Sequence, residues 1–189
     1  DKQERCKNTL ASVQALLGGQ SIELYVEIPL DGIGALNDLL GGVTVTLLDD
    51  FTASDPTMTA GKTLTLTDQQ AEILVRSRMS MAVGTNEARM SRQRIFMDAA
   101  IPMIRERISE NSGFASEMLD SLSPYLTTNM VRGRMINELN KAYHYDVQPV
   151  EYLTGEHTIG DDGFVEFHAA SQSAVDFVLS AFYTKRDAQ

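Results

Sequence analysis

Arginines are concentrated between Ile73 and Met97, where their side chains could bind an anion. This segment holds five arginines, no lysine and one acid, although the whole chain has a net charge of −10. A guanidinium group offers a planar set of donors that can bind phosphate through two parallel hydrogen bonds. The segment therefore predicts a site for a phosphate-bearing ligand. Its arginines are Arg76, Arg78, Arg89, Arg92 and Arg94.

Local signals select some of these arginines over the others. Arg76 and Arg78 are two residues apart where an element ends, so on extended backbone their side chains point to the same side. Asn86 is a suitable N-cap for the next helix, and a helix N-terminus favours anions. Arg89 and Gln93 follow three and seven residues later on one helix face. We predict that these five residues form a pyrophosphate clamp.

The alternative is that the arginines lie on a solvated helix face and make ordinary ion pairs. Arg92 and Arg94 fit this alternative, as do Arg105 and Arg107 on the same predicted helix. It is weaker for the three arginines of the clamp, because the sequence around them contains almost no acid. Composition alone leaves both interpretations open.

The elements that must position the clamp alternate between helices and strands. A strand, a helix and a second strand are predicted at 22–28, 32–40 and 43–48, with glycine pairs ending the helices at 8–17 and 32–40. Thr67 and Gln70 match a capping box that begins a helix ending near Arg76 or Arg78. A long helix from Asn86 to about residue 108 should be kinked or broken by Pro102.

Further elements are predicted downstream, and together they favour a single domain with a layered α/β fold. They comprise helices at 114–122, from 128 or 129 to 143 and at 172–182, a strand at 147–153 and a hairpin at 158–167. A short strand is also predicted at 63–66.

Composition excludes several other kinds of site. Cys6 is the only cysteine, so an intrachain disulfide and a cysteine-based zinc site are both excluded. The three histidines have no metalloprotease spacing. The net charge of −10 disfavours a nucleic-acid partner. The acidic pairs at 49–50 and 161–162 could bind a cation, although solvated loops explain them more simply.

Two motifs in the clamp segment resemble a known family. The sequence VRSR at 75–78 and the sequence NEARMSRQ at 86–93 resemble the R-x-R…D-x-x-R-x-x-R-Q signature of the LytR–CpsA–Psr family. Upstream, the stretches at 17–26 and 31–45, which include LGGVTV, are similar to the same family. Downstream, PYLTTNM at 124–130 is similar to its T-(D/N)-(M/L) segment. The resemblance extends through nearly the whole chain.

The resemblance implies an α/β/α fold with a mixed central sheet and a transferase activity. Members of the family transfer teichoic acid or capsular polysaccharide from a polyprenyl-pyrophosphate carrier to peptidoglycan. They are anchored on the outer face of the cytoplasmic membrane, mostly in Gram-positive bacteria. Arg76, Arg78 and Arg89 would be the catalytic residues, and Asn86 and Gln93 would join them in binding the pyrophosphate head, usually with Mg²⁺.

The sequence departs from the family pattern at two points. The usual aspartate of the second motif is Asn86 here, and an asparagine cannot act as a base or contribute a full charge to a magnesium site. The amino-terminal third of the family domain, with the membrane anchor, the magnesium-binding aspartates and further arginines, has no counterpart in residues 1–189. We therefore expect an incomplete domain whose metal ligands lie outside this chain.

Two other functions remain as alternatives. A non-catalytic module that binds polyprenyl phosphate is favoured by Asn86. A transcriptional regulator is disfavoured by the negative charge and by the lack of a recognisable DNA-reading helix. Met90, Met97, Met103 and Met118 could line a tunnel for the lipid tail, although core packing is the simpler interpretation for each of them.

Overall fold

Helices and short strands alternate in the computed structural model, which describes residues 1–77, 86–145, 153–161, 163 and 165–183. The helices in these ranges are α1 (Lys2–Leu16), α2 (Gly32–Leu40), α3 (Asp68–Arg76), α4 (Asn86–Glu110), α5 (Phe114–Leu122), α6 (Arg132–Ala142) and α7 (Ser171–Val178), with a π-helical turn at Leu179–Tyr183. The strands are β1 (Val26–Glu27), β2 (Thr44–Thr46), β3 (Thr63–Thr65), β4 (Thr127–Thr128), β5 (Gly155–Ile159) and β6 (Val165–Ala169).

The described strands pair in antiparallel twos: β1 with β4, β2 with β3 and β5 with β6. The predicted α/β class is confirmed. The strands on either side of α2 do not pair with each other, and the predicted strand at 22–28 narrows to two residues. Its partner is a pair of threonines about a hundred residues later in the chain, which a local pattern cannot reveal.

The chain divides into two compact units. The first comprises Val26–Tyr145, and the second comprises Asp1–Tyr25 and Asp146–Gln189. All residues of the predicted clamp belong to the first of these units. In the second unit, β5 and β6 confirm the predicted hairpin. Residues 147–152 of the predicted strand at 147–153 lie outside the described residues. No helix in the described part of the chain is long and apolar enough to cross a membrane.

The core of the unit Val26–Tyr145 holds α3 and α4 together. Each large apolar side chain that leaves water there contributes roughly 1.5–3 kcal/mol, so the core dominates the energy of this arrangement. The helix α4 contributes Phe96, Ala100 and Ile108, which recur at helical spacing on one face. They pack in one cluster with Leu74 and Val75 of α3.

Local sequence signals end α2 and begin α3 as predicted. Gly41 and Gly42 follow α2 with φ of 79° and 94°, a region that only glycine occupies without strain. At the start of α3 the Thr67 Oγ1 atom accepts from the Gln70 amide at 3.3 Å, and Gln70 Oε1 accepts from the Thr67 amide at 3.1 Å. Because these signals act within a few residues, the sequence could predict them.

Pro102 does not break α4, which runs without interruption from Asn86 to Glu110. Of the two predicted effects of Pro102, the break was therefore wrong, and the kink stays a prediction. Proline inside a helix costs about 3 kcal/mol through the lost hydrogen bond and a clash with the preceding turn. Core side chains on both sides of Pro102, Ala100 before it and Ile108 after it, are buried and offset that cost.

Candidate anion-binding site

Arg76 is the last residue of α3, at the end of a helix whose other face is buried. Ala71, Leu74 and Val75 lie in the core, and this fixes the side of the helix that faces solvent. The side chain of Arg76 remains 47% exposed. Its guanidinium group is therefore accessible to a ligand from solution.

Two acids contact Arg76, contrary to the expectation that almost no acid lies near it. Arg76 forms a close ion pair with Asp31, and its Nε atom lies 3.7 Å from Glu72 Oε2. Asp31 is the N-cap residue of α2, but its side chain makes no capping hydrogen bond. Both acids are more than a third exposed, so each pair contributes at most about 1 kcal/mol and an anion can compete for Arg76.

Arg89 lies in the first turns of α4 and has an unsatisfied donor. Its Nε atom is buried and has no hydrogen-bond partner among the residues that the structure describes. A buried donor without a partner costs about 1–3 kcal/mol, and more when the group is charged. An anion oxygen at this position would remove that cost.

Gln93, one turn after Arg89, joins α4 to the end of α3. Its Nε2 atom donates to the carbonyl oxygen of Val75 at 3.3 Å. The first turns of α4 therefore lie against the residues next to Arg76. The predicted contact of Gln93 with a pyrophosphate head stays a prediction.

Two members of the predicted clamp cannot be placed. Arg78 lies outside the described residues, and so does the side chain of Asn86. The backbone of Asn86 is the first described residue of α4, so the predicted helix is confirmed, whereas the role of Asn86 as its N-cap stays a prediction. The roles of both residues as ligands stay predictions.

Arg92 is buried, so its assignment to a solvated helix face was wrong. Only 1% of its side chain is exposed. Its Nη1 atom donates to Asp49 Oδ2 at 2.9 Å, and its Nη2 atom donates to the carbonyl oxygen of Ser77 at 2.8 Å. The spacing held a usable signal, because Arg92 precedes the core residues Phe96 and Ala100 by four and eight positions.

The other arginines of α4 serve structural contacts. Arg94 makes an i,i+4 ion pair with Asp98 at 3.2 Å, as the alternative interpretation predicted. Arg105 and Arg107 instead donate to carbonyl oxygens, those of Tyr143 at 2.9 Å and Leu40 at 3.2 Å. The acceptor for Arg107 lies at the C-terminus of α2, where a cation also interacts favourably with the helix dipole.

In the loop between β2 and β3, two aspartate carboxylates accept hydrogen bonds from nearby residues. Hydrogen bonds from the Thr52 hydroxyl and amide lower the pKa of Asp50. Hydrogen bonds from Thr57, assisted by Gln70, lower the pKa of Asp55 in the same way. Among the described residues no group of three or more His, Cys, Asp or Glu side chains could hold a metal ion. The Mg²⁺ that the family resemblance implies stays a prediction.

The four methionines considered for a lipid tunnel divide into two pairs. Met118 is buried and Met103 is packed against the same core, as their simpler interpretation predicted. Met90 and Met97, seven residues apart on α4, are 49% and 37% exposed. The first pair is thus part of the core, and the second presents apolar surface on the helix that carries Arg89.

Comparison with known proteins finds one family and several similar structures. The sequence profile of the LytR_cpsA_psr family matches residues 6–177. A search of curated protein sequences finds no significant match. The structure of gbs0355 from Streptococcus agalactiae is 20% identical with a TM-score of 0.72, over 94% of this chain and 63% of that one.

Two further similar structures are those of TagV and TagT. TagV of B. subtilis is 17% identical with a TM-score of 0.67, over 91% of this chain and 67% of its own. TagT bound to LI-WTA is 19% identical with a TM-score of 0.68, over 91% of this chain and 64% of its own. At these identities the likeness shows the fold. The chain spans 63–67% of the length of the three structures.

Proposed function

The chain belongs to the LytR_cpsA_psr family, and on that basis we propose that it is part of a phosphotransferase of cell-wall biogenesis. The enzyme would transfer a glycopolymer from a polyprenyl-pyrophosphate carrier to peptidoglycan. The family match over residues 6–177 supports the general role. The similar fold of TagT, which has been solved with LI-WTA bound, supports a lipid-linked glycopolymer as the donor.

The observation that carries the proposal is the unsatisfied donor of Arg89. A buried guanidinium nitrogen without a partner among the described residues lies in the first turns of α4, against the end of α3. Arg76, on the end of α3, is accessible, and the acids that pair with it among the described residues are exposed. Two arginines with donors to offer, on adjacent elements, match the several oxygens of a pyrophosphate better than they match a single carboxylate.

The proposed chemistry is the displacement of one phosphoryl oxygen by another. A peptidoglycan hydroxyl attacks the phosphorus that bears the glycan, and the P–O bond to the second phosphate breaks. Polyprenyl phosphate leaves with the bridging oxygen, and the hydroxyl proton is lost. Arg76 and Arg89 would bind the phosphate oxygens and stabilise the charge that develops on them.

Other features of the proposed enzyme follow from the family resemblance. Mg²⁺ would neutralise part of the pyrophosphate charge, held by residues outside those described. Arg78 would join the clamp, and Asn86 would lie at its edge. The protein would act on the outer face of the cytoplasmic membrane, with polyprenyl carrier and peptidoglycan as its partners and no nucleic acid.

The experiment is a turnover assay of the intact protein with a glycosylated polyprenyl pyrophosphate, peptidoglycan and Mg²⁺. We expect the release of polyprenyl phosphate and a loss of more than tenfold in Arg89→Ala, which is about 1.4 kcal/mol. Arg94→Ala is the matched control, because Arg94 lies on the same helix in an ordinary ion pair. A wild-type protein that neither binds the carrier nor releases polyprenyl phosphate would refute the proposal.

The second candidate is a module that binds polyprenyl phosphate without turnover. It is favoured by Asn86, because asparagine replaces the acid that the family usually has at this position. The two candidates differ in one result of the same assay. Saturable binding of the carrier with no release of polyprenyl phosphate would select the module over the enzyme.

A further inference from the structure

Two neighbouring residues of α4 hold the backbone on both sides of Arg76. Gln93 donates to the carbonyl oxygen of Val75 at 3.3 Å, and Arg92 donates to that of Ser77 at 2.8 Å. Val75 and Ser77 are the residues immediately before and after Arg76. The end of α3 is therefore bound to α4 at two adjacent points, with Arg76 between them.

Ser77 is held by several of its own atoms as well. Its amide and its hydroxyl both donate to the carbonyl oxygen of Ile73, at 3.0 Å and 2.7 Å. Its φ of −55° and ψ of 128° take the chain out of the helix. Because the peptide unit is planar, holding the Ser77 carbonyl fixes the orientation of the peptide plane at Ser77, the residue directly after Arg76.

Asp49 orients Arg92 from the opposite side. It follows β2, and its Oδ2 atom accepts from Arg92 Nη1 while Arg92 Nη2 reaches Ser77. A guanidinium group is rigid and planar, so one contact fixes the direction of the other. Through Arg92, Ser77 is thus linked to the chain that follows β2, the strand that pairs with β3.

Stability alone is a poor explanation for so deeply buried an arginine. Arginine is almost never fully buried unless it is paired. A buried ion pair often contributes no more stability than apolar side chains of similar volume, because both charges lose their hydration. The geometry that the pair imposes is therefore the better explanation for Arg92.

We propose that Arg92 is a positioning residue of the anion site. It fixes the Ser77 carbonyl, and with Gln93 it holds Arg76 at the place and angle from which its guanidinium group binds the ligand. The inference rests on the proposed function, because the ligand it serves is the phosphate group of a polyprenyl carrier. Arg92 therefore affects the affinity for the ligand through Arg76, although its own side chain is buried.

The test measures the affinity of the intact protein for polyprenyl phosphate in detergent, at a temperature where every variant is folded. We expect Arg92→Met to bind about tenfold more weakly than the wild type. Asn37→Ala is the matched control. Asn37 is also 1% exposed and holds two backbone groups, those of Val43 and Leu66, but at the other end of α3. Its loss should lower the melting temperature and leave the affinity unchanged.

A double-mutant cycle separates positioning from a general loss of structure. If Arg92 acts through Arg76, Arg92→Met should change the affinity less than twofold in an Arg76→Ala background. An equal loss in both backgrounds would overturn the inference, as would wild-type affinity in Arg92→Met. If Arg92→Met does not fold, Asp49→Asn takes its place. This variant keeps an oxygen acceptor for Arg92 but removes the charge, and we expect about a threefold loss.

The outcomes distinguish this inference from the proposed function. A wild-type protein that fails to bind polyprenyl phosphate contradicts the proposed function and the inference together. A wild type that binds, loses affinity in Arg89→Ala and keeps it in both Arg92→Met and Asp49→Asn contradicts only the inference.

Discussion

The two ends of α4 carry the same residue type and use it differently. Near the C-terminus, Arg105 and Arg107 each donate to a backbone carbonyl. Near the N-terminus, Arg92 also holds backbone through its Nη2 atom, and the buried Nε atoms of both Arg89 and Arg92 have no partner in the described part of the chain. Buried arginine donors without a partner in the described residues thus occur near the N-terminal end of α4, next to the segment predicted as an anion site.

The largest expected effect on stability comes from breaking the buried ion pair at the N-terminal end of α4. Arg92→Ala leaves Asp49 without its partner and the Ser77 carbonyl without its donor, so the free energy of unfolding should fall by about 3 kcal/mol. Urea denaturation measures this change. Arg94→Ala, which removes an exposed pair, should change it by less than about 0.5 kcal/mol. Equal effects of the two variants would contradict the assignment of Arg92 to the interior.

Arg107→Ala and Arg89→Ala should differ in opposite ways: the first should lower stability, and the second should weaken carrier binding. Arg107 donates to Leu40 and lies 5.8 Å from the ring centre of Phe114, so its loss should lower the free energy of unfolding by about 1 kcal/mol. Arg89→Ala removes an unsatisfied donor and should leave stability unchanged or slightly raised. Calorimetry and carrier binding on both variants check this. A large loss of stability in Arg89→Ala would remove the distinction between the two ends.

A smaller effect, on ligand affinity, is expected at Arg76, whose guanidinium group is exposed but paired with acids. Asp31→Asn removes the acid that competes for Arg76, so the affinity for polyprenyl phosphate should rise about threefold, less than 1 kcal/mol. Added salt should reduce the difference between variant and wild type. Glu72→Gln is the comparison variant, since Glu72 contacts Arg76 at the longer distance of 3.7 Å. No gain in either variant would mean that these acids do not compete with the ligand.

The smallest expected effect is the pH dependence from the loop that contacts the start of α3. The folded pKa of Asp55 lies below its ordinary value of 3.8, because Thr57 and Gln70 hydrogen-bond the carboxylate. The folded state therefore gains stability above pH 3.8 and loses it as the pH falls through the lowered pKa. Unfolding of Asp55→Asn should be less sensitive to acid than that of the wild type below about pH 4. Parallel curves would contradict this role for Asp55.

Much of the local structure followed from the sequence, whereas the contacts within the site did not. The capping box at Thr67 and Gln70, the glycine end of α2 and the bounds of α5 each depend on residues close together in the chain. The close ion pairs of Arg76 with Asp31 and of Arg92 with Asp49 do not, because each joins residues more than forty positions apart. The burial of Arg92 also depended on knowing which face of α4 meets the core.

The sequence by itself determined that a segment rich in arginine lies at a junction between two helices, and that it resembles the anion site of one family. These properties are local, since side-chain chemistry and helix signals act over a few residues. Only the tertiary structure decided how each arginine is used. Arg92 is buried and donates to Asp49 and Ser77, and Arg76 is an exposed cation paired with acids. Arg89, like Arg92, has a buried Nε donor without a partner in the described residues. The physical reason is that a donor is free or satisfied according to the acceptors that distant elements bring to it.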